Sequence, residues 1–183
     1  MKVVHDEEKI RIVDAKELTE VVARLCQEAS FLLPEDVRRA LQAAVDREES
    51  PLGKDVLLQI LENARMAVDT QVPLCQDCGY TVVFLDIGQQ VIIDGAGLEE
   101  AVAEGVRRGY QEGYLRKSIV NDPVFKRKNT GDNTPPVIHL RIVPGTQIHV
   151  WVVPKGGGSE NMSTLGMLKP AQGVEGVRQF VVD

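Results

Sequence analysis

The chain has 183 residues, with 21 Lys and Arg against 27 Asp and Glu, and a net charge of -6 spread over both signs. That balance leaves no electrostatic footprint for nucleic acid, and no apolar run reaches bilayer-spanning length, so neither nucleic acid nor membrane is an expected partner. The opening MKVVHDEEKIRIVD carries acids where a secretory signal carries an apolar core, which predicts a cytoplasmic protein, and three cysteines form no disulfide framework.

Residues 14–33 read as an amphipathic helix, with Asp14 and Glu17 in capping-box spacing and Leu18, Val21, Val22, Leu25, Ala29 and Leu32 at helical period. Cys26 lies beside that stripe and is expected to be a small buried hydrophobe. A second helix runs from Pro34 to about Glu49 through Val37, Ala40, Leu41, Ala44 and Val45. Ser50-Pro51-Leu52-Gly53 should break the pattern before a third helix over residues 54–69.

Next comes Pro73-Leu74-Cys75-Gln76-Asp77-Cys78-Gly79-Tyr80, a turn crowded with thiols, an amide and a carboxylate. Residues 80–87 (YTVVFLDI) are β-branched and aromatic and predict a strand leaving it. Residues 91–94 predict a second strand of the same meander, after Gly88-Gln89-Gln90. A fourth helix is expected over 98–116, where Arg116 and Lys117 at its C-terminal end would complement the helix dipole. The polar segment 121–136 is too long for a simple connection and should reach toward a site.

Residues 137–143 (VIHLRIV) and 147–153 (QIHVWVV) flank Pro144-Gly145-Thr146 and predict a hairpin, with His139 and His149 as ordinary sheet residues. Beyond it, Lys155-Gly156-Gly157-Gly158 offers backbone amides and a positive charge to an anionic group. From Pro170 onward an amphipathic helix begins and stops at Asp183 without a cap, which reads as a fragment or one member of a split protein. The expected architecture is α+β. N-terminal helices pack on a mixed, mainly antiparallel sheet crossed by a helix, in one domain over 1–183 with a helical part (1–72) and an α/β part (73–183).

Cys75-x-x-Cys78 alone leaves three readings open. A structural zinc site wants a second ligand pair, and a redox pair wants a helix N-terminus. The third is ligation of an iron–sulfur cluster by one thiolate with further ligands from elsewhere.

The segments PLCQDCGYTVVFLDIGQ, VRRGYQEGYLRKSIV, KRKNTGDNTPPVIHLRIVPG and PKGGGSEN, in that order and spacing, resemble the N-terminal part of the alpha subunit in the class I (iron–sulfur) fumarate hydratase and L-tartrate dehydratase family. The resemblance implies a hydro-lyase that interconverts (S)-malate and fumarate, with L-tartrate as the alternative substrate and a non-catalytic CxxC metal-binding module as the rival of another class. It implies a [4Fe-4S] cluster held by three cysteines, of which Cys75 matches the first. It also implies that Gln76 and Asp77 lie against substrate, with Asp77 catalytic, that Arg116 grips a carboxylate, and that Gly157 and Gly158 offer amides to another oxygen. Lys155, Asn129, Asp132 and Asn133 match family motifs without an assigned role.

Cys78 stands where the family carries a hydroxyl-bearing residue. It is expected to be no cluster ligand but a target of oxidative damage. The remaining cluster cysteines and the proton-abstracting base are expected outside this chain, the base in a beta subunit or C-terminal domain. The chain alone is therefore expected to lack the cluster and to be inactive, and the full assembly to be a homodimer of alpha–beta pairs acting on a small dicarboxylate.

Overall fold

The structure is a computed structural model that describes residues 10–159 and 161–183. The reading of the first residues as no secretory signal falls mostly on positions 1–9, outside the described residues, as does Glu160 of the glycine segment.

The first element among the described residues is a strand that the periodicity did not announce, β1 (Arg11–Asp14). It leads directly into α1 (Ala15–Phe31), because the Asp14 side chain accepts the Lys16 amide at 2.8 Å and so caps the helix. α2 (Glu35–Arg47) follows Pro34, and α3 (Pro51–Thr70) starts three residues earlier than expected. Pro51 opens this helix rather than breaking it: it occupies the first turn, where a missing N–H costs nothing, while Ser50 Oγ accepts the Gly53 amide at 3.3 Å.

β2 (Tyr80–Gly88) is the central strand, followed by β3 (Val91–Asp94) and α4 (Leu98–Glu112). Two-residue strands β4 (Val120–Asn121) and β5 (Lys128–Asn129) pair within the long polar segment. β6 (Val137–Val143), β7 (Ile148–Lys155) and α5 (Gly173–Val182) complete the chain.

The fold is α+β with a mixed sheet ordered β6-β2-β7, in which β6 runs parallel and β7 antiparallel to β2. Two expected hairpins are not there. β6 and β7 are consecutive but flank β2 instead of pairing, and β3 pairs in parallel with β1 rather than with β2. The turns are nevertheless tight, because the end of β2 fits between the strands on either side. The Gly88 amide donates to Gln147 O and the Gln89 amide to Val143 O, both at 2.8 Å, and a Cβ on Gly88 would sit 2.2 Å from Gly145 O.

α1 and α4 cover one face of the sheet. Leu18, Val22 and Cys26 from α1 meet Val102, Val106 and Tyr110 from α4, and Val83, Leu85 and Ile87 of β2 lie beneath them. The two helices approach closely because α4 presents glycines to α1. A Cβ on Gly105 would lie 2.7 Å from Val22 Cβ, and one on Gly109 would lie 2.7 Å from Ala23 O and 2.8 Å from Cys26 Cβ. Cys26 is thus the core residue expected of it, and burial pushes its thiol up to about 12. The other face of the sheet is exposed. There Phe84 stacks on His139 at 4.8 Å and His149 on Trp151 at 5.8 Å, with Arg141 Nε donating to Asp86 at 2.9 Å, so both histidines are sheet residues.

Candidate functional site

The cysteine turn spans the gap between α3 and β2, and its backbone is held at several points. The Leu74 amide donates to Ser30 O at 2.9 Å, and Asn63 Nδ2 donates to Leu74 O at the same distance. At the other end the Tyr110 hydroxyl, buried in the core, donates to Cys78 O at 2.7 Å. Gly79 adopts φ +60, and a Cβ there would fall 2.1 Å from Lys155 O, so only glycine lets the turn pass this close to the end of β7.

Cys75 is exposed: its thiol donates to Gln76 Oε1 at 3.2 Å and its sulfur receives the Asp77 amide at 3.5 Å. Cys78 points the other way. It is 5% exposed, its sulfur accepts the Arg116 amide at 3.2 Å, and burial raises its pKa. A buried thiol held in its protonated form is a poor target for oxidants, which overturns the expectation that Cys78 is an oxidation site.

α4 ends earlier than expected. Tyr114 takes φ 51 just after Gly113, so Arg116 leaves the helix and lies in the following loop. Its position is therefore set by Cys78 and by Asn133 rather than by the helix dipole. Asn133 is fully buried at φ 62. Its Oδ1 accepts the Ser118 and Ile119 amides at 2.7 and 3.2 Å, and its Nδ2 donates to Gly79 O at 3.2 Å. One side chain thereby joins the loop carrying Arg116 to the cysteine turn. Asn129 adds a second tie, donating to Lys117 O at 3.0 Å. Asp132 pairs with Arg107 at 3.1 Å and accepts the Thr134 hydroxyl at 2.7 Å. Although burial works against its charge, these donors hold its pKa down at about 2.

The walls meet in an open cleft of about 730 Å³ at the end of the sheet where β2 and β6 begin and β7 ends. It is bordered by Asp77, Arg116 and Gly157 among the expected residues, and by Ser118, Arg127 and Asn161, which lie within the motifs quoted above but carried no assigned role there. Asp77 Oδ1 accepts the Gly79 amide at 3.0 Å, and a Cβ added at Gly156 would sit 3.2 Å from its Oδ2. Gln76, Gly158 and Cys75 are exposed and do not border this cleft. A pocket joining cations, glycine amides and one carboxylate suits a small anion that carries hydroxyls.

Residues 19–183 match the family described as fumarate hydratase (Fumerase). The chain belongs to that family. It is 40% identical over 171 residues to a protein of Methanocaldococcus jannaschii named putative L(+)-tartrate dehydratase subunit alpha, covering 91% of this chain and 60% of the relative. The L(+)-tartrate dehydratase subunit alpha of Escherichia coli is 31% identical over 168 residues, covering 91% and 55%. The anaerobic class I fumarate hydratase of Escherichia coli is 36% identical over 162 residues, covering 87% of this chain and 29% of that enzyme. The chain therefore spans a little over half of the two alpha subunits. The relatives so named divide between tartrate dehydratase alpha subunits and a class I fumarate hydratase.

Proposed function

We propose that this chain is the N-terminal part of the alpha subunit of an iron–sulfur hydro-lyase that dehydrates L(+)-tartrate. The carrying observation is its 40% identity, over 91% of its length, to a protein named as a tartrate dehydratase alpha subunit. The assembly would be completed by a beta subunit as pairs of alpha–beta units. The apolar residues left exposed on the outer sheet face (Phe84, Trp151) and on α3 (Val56, Ile60) offer surface for such contacts.

In this reading Cys75 is the chain's one cluster ligand. An exposed thiol on a pinned turn suits that role, whereas Cys26 and Cys78 are buried and face the core. The chain would supply one donor of a larger set, the other cluster cysteines coming from elsewhere in the full alpha subunit, and is expected to be inactive alone. The cluster, when bound, supplies a Lewis acid for the departing hydroxyl.

The chain's own residues orient the diacid. Arg116 would receive one carboxylate through its fork of N–H donors, and the amides at Gly157 and Gly158 would receive another oxygen. Asp77, oriented by the Gly79 amide, stands where it would accept a substrate hydroxyl or guide a proton, with Gln76 beside it. Loss of water from a 2,3-dihydroxydicarboxylate leaves an enol that becomes the 2-oxo acid, so the base at the adjacent carbon is still required from the partner.

A second reading, (S)-malate and fumarate, is favoured by the 36% identity to a class I fumarate hydratase. The test is anaerobic co-expression of the full-length alpha subunit with its beta partner, followed by assays of 2-oxo acid from tartrate and fumarate from malate. Tartrate turnover that disappears in Cys75→Ser together with cluster absorbance is the expected result. A Cys75→Ser assembly with undiminished turnover sinks the proposal, and stoichiometric zinc on the isolated chain would favour a non-catalytic CxxC module.

A further inference from the structure

The cleft carries a second arginine besides Arg116, and we propose that this residue, Arg127, is a further substrate-binding residue, gripping the carboxylate that Arg116 does not. The inference rests on the dicarboxylate reading above. Most arginines of this protein spend their charge locally: Arg24, Arg38, Arg65, Arg107, Arg108, Arg141 and Arg178 each reach a carboxylate. Arg116 and Arg127 both border the cleft, and neither guanidinium has an ion pair among the described residues.

The backbone around Arg127 is built to hold it there. It adopts φ 48, in the left-handed region that costs a residue with a long side chain, and its amide donates to Asp122 O at 2.9 Å. Asp122 closes the rest of the loop, accepting the Phe125 and Lys126 amides at 3.1 and 3.3 Å. The loop base is tied to the Arg116 segment, with the Thr130 amide donating to Ile119 O at 3.0 Å beside the Asn129 bond to Lys117 O. Both cations thus sit on one braced unit facing the same space. The carboxylate that borders the same cleft, Asp77, is engaged by the Gly79 amide. Two guanidinium groups against one carboxylate leave the cleft net cationic, with one arginine available for each carboxylate of a dianion.

The test uses the assembled full-length alpha–beta enzyme, with succinate as a dianionic probe and butyrate as its monoanionic counterpart. Calorimetry measures binding and steady-state assays measure turnover. Arg127→Ala is expected to weaken succinate roughly ten- to hundredfold, as loss of one charge-assisted carboxylate contact does, and to leave butyrate within about twofold. The KM for substrate should rise in parallel, more than kcat falls. Arg127→Lys restores part of the loss. Arg127→Gly, which removes the left-handed strain, keeps a thermal midpoint no lower than wild type while losing the same affinity, which separates binding from folding. Succinate binding within twofold of wild type in Arg127→Ala overturns the proposal, as does an equal loss for butyrate. If wild type binds succinate through Arg127 but turns over neither tartrate nor malate, the hydro-lyase reading falls and Arg127 stands. If the enzyme turns over tartrate or malate and Arg127→Ala leaves that turnover unaffected, the hydro-lyase reading stands and the role of Arg127 falls.

Discussion

The sulfur of Cys78 accepts the backbone amide of Arg116 at 3.2 Å across 38 positions of sequence. The residue that follows the exposed thiol motif therefore sets where the carboxylate-binding arginine stands. Replacing Cys78 by Ser or Thr keeps an acceptor for that amide, whereas Cys78→Ala leaves a part-buried N–H without one. Cys78→Ala should lose about 1–2 kcal/mol of stability in urea titration and raise the KM of the assembled enzyme, with Ser and Thr closer to wild type. Equal behaviour of the Ala and Ser variants would show that the contact positions nothing.

Asn133 makes the complementary connection, satisfying two amides of the Arg116 loop and the carbonyl of Gly79 from a fully buried position. Asn133→Ala strands all three groups, and a destabilisation of about 2–4 kcal/mol is expected by chemical denaturation. Asn133→Asp is expected to be no better. Its carboxylate can still accept two amides, but it brings a charge into a buried site and turns an acceptor toward the Gly79 carbonyl.

How much of this was readable follows the range of each signal. The helices and strands stood out because apolar spacing is local, and only their ends moved, at Pro51 and Gly113. Strand partners did not stand out. Gly88-Gln89-Gln90 and Pro144-Gly145-Thr146 have hairpin chemistry, yet what decides pairing is the burial of Val83, Leu85 and Ile87 between β6 and β7, a long-range condition. β1 is four residues long beside an acidic stretch and left no periodic trace. Asp77, Arg116 and Gly157 came from motif resemblance, and they do border one cleft. Arg127 stands in the KRKNTGDN motif, which was expected to reach toward a site, but nothing in the motif singles it out from Lys126 and Lys128; its backbone dihedral and the cleft do.

Asp132 gives the fold an acid-sensitive component. Hydrogen bonds from Thr134 and Arg107 outweigh the cost of burial and depress its folded pKa from the ordinary 3.8 to about 2. The unfolded chain therefore takes up this proton more readily than the folded one. The stabilisation is complete above about pH 4 and is lost as pH falls through the interval toward 2. Because the pair is partly solvated, its worth is of order 1 kcal/mol. Thermal midpoints should show wild type above Asp132→Asn at pH 7, with the gap closing between pH 4 and 2; a gap that persists unchanged at pH 2 would rule this out.

Two helical glycines allow a test of what the α1–α4 approach requires. Gly→Ala in a helix interior gains up to about 1 kcal/mol from propensity alone. At Gly53 the added methyl meets only the flexible Glu48 side chain, at 2.9 Å, so the gain should be realised. At Gly109 the methyl lies 2.7 Å from the Ala23 carbonyl and 2.8 Å from Cys26 Cβ, atoms that move only if α1 moves. Overpacking of that kind costs about 1–3 kcal/mol and should exceed the propensity gain. Gly53→Ala is thus expected to raise the thermal midpoint and Gly109→Ala to lower it. Because Tyr110 follows directly and bonds Cys78 O, the Gly109 variant should also disturb the cysteine turn. Faster amide exchange at Cys78 and Gly79 would register that coupling, and a stabilised Gly109→Ala with unchanged exchange would show that the helices have room to spare.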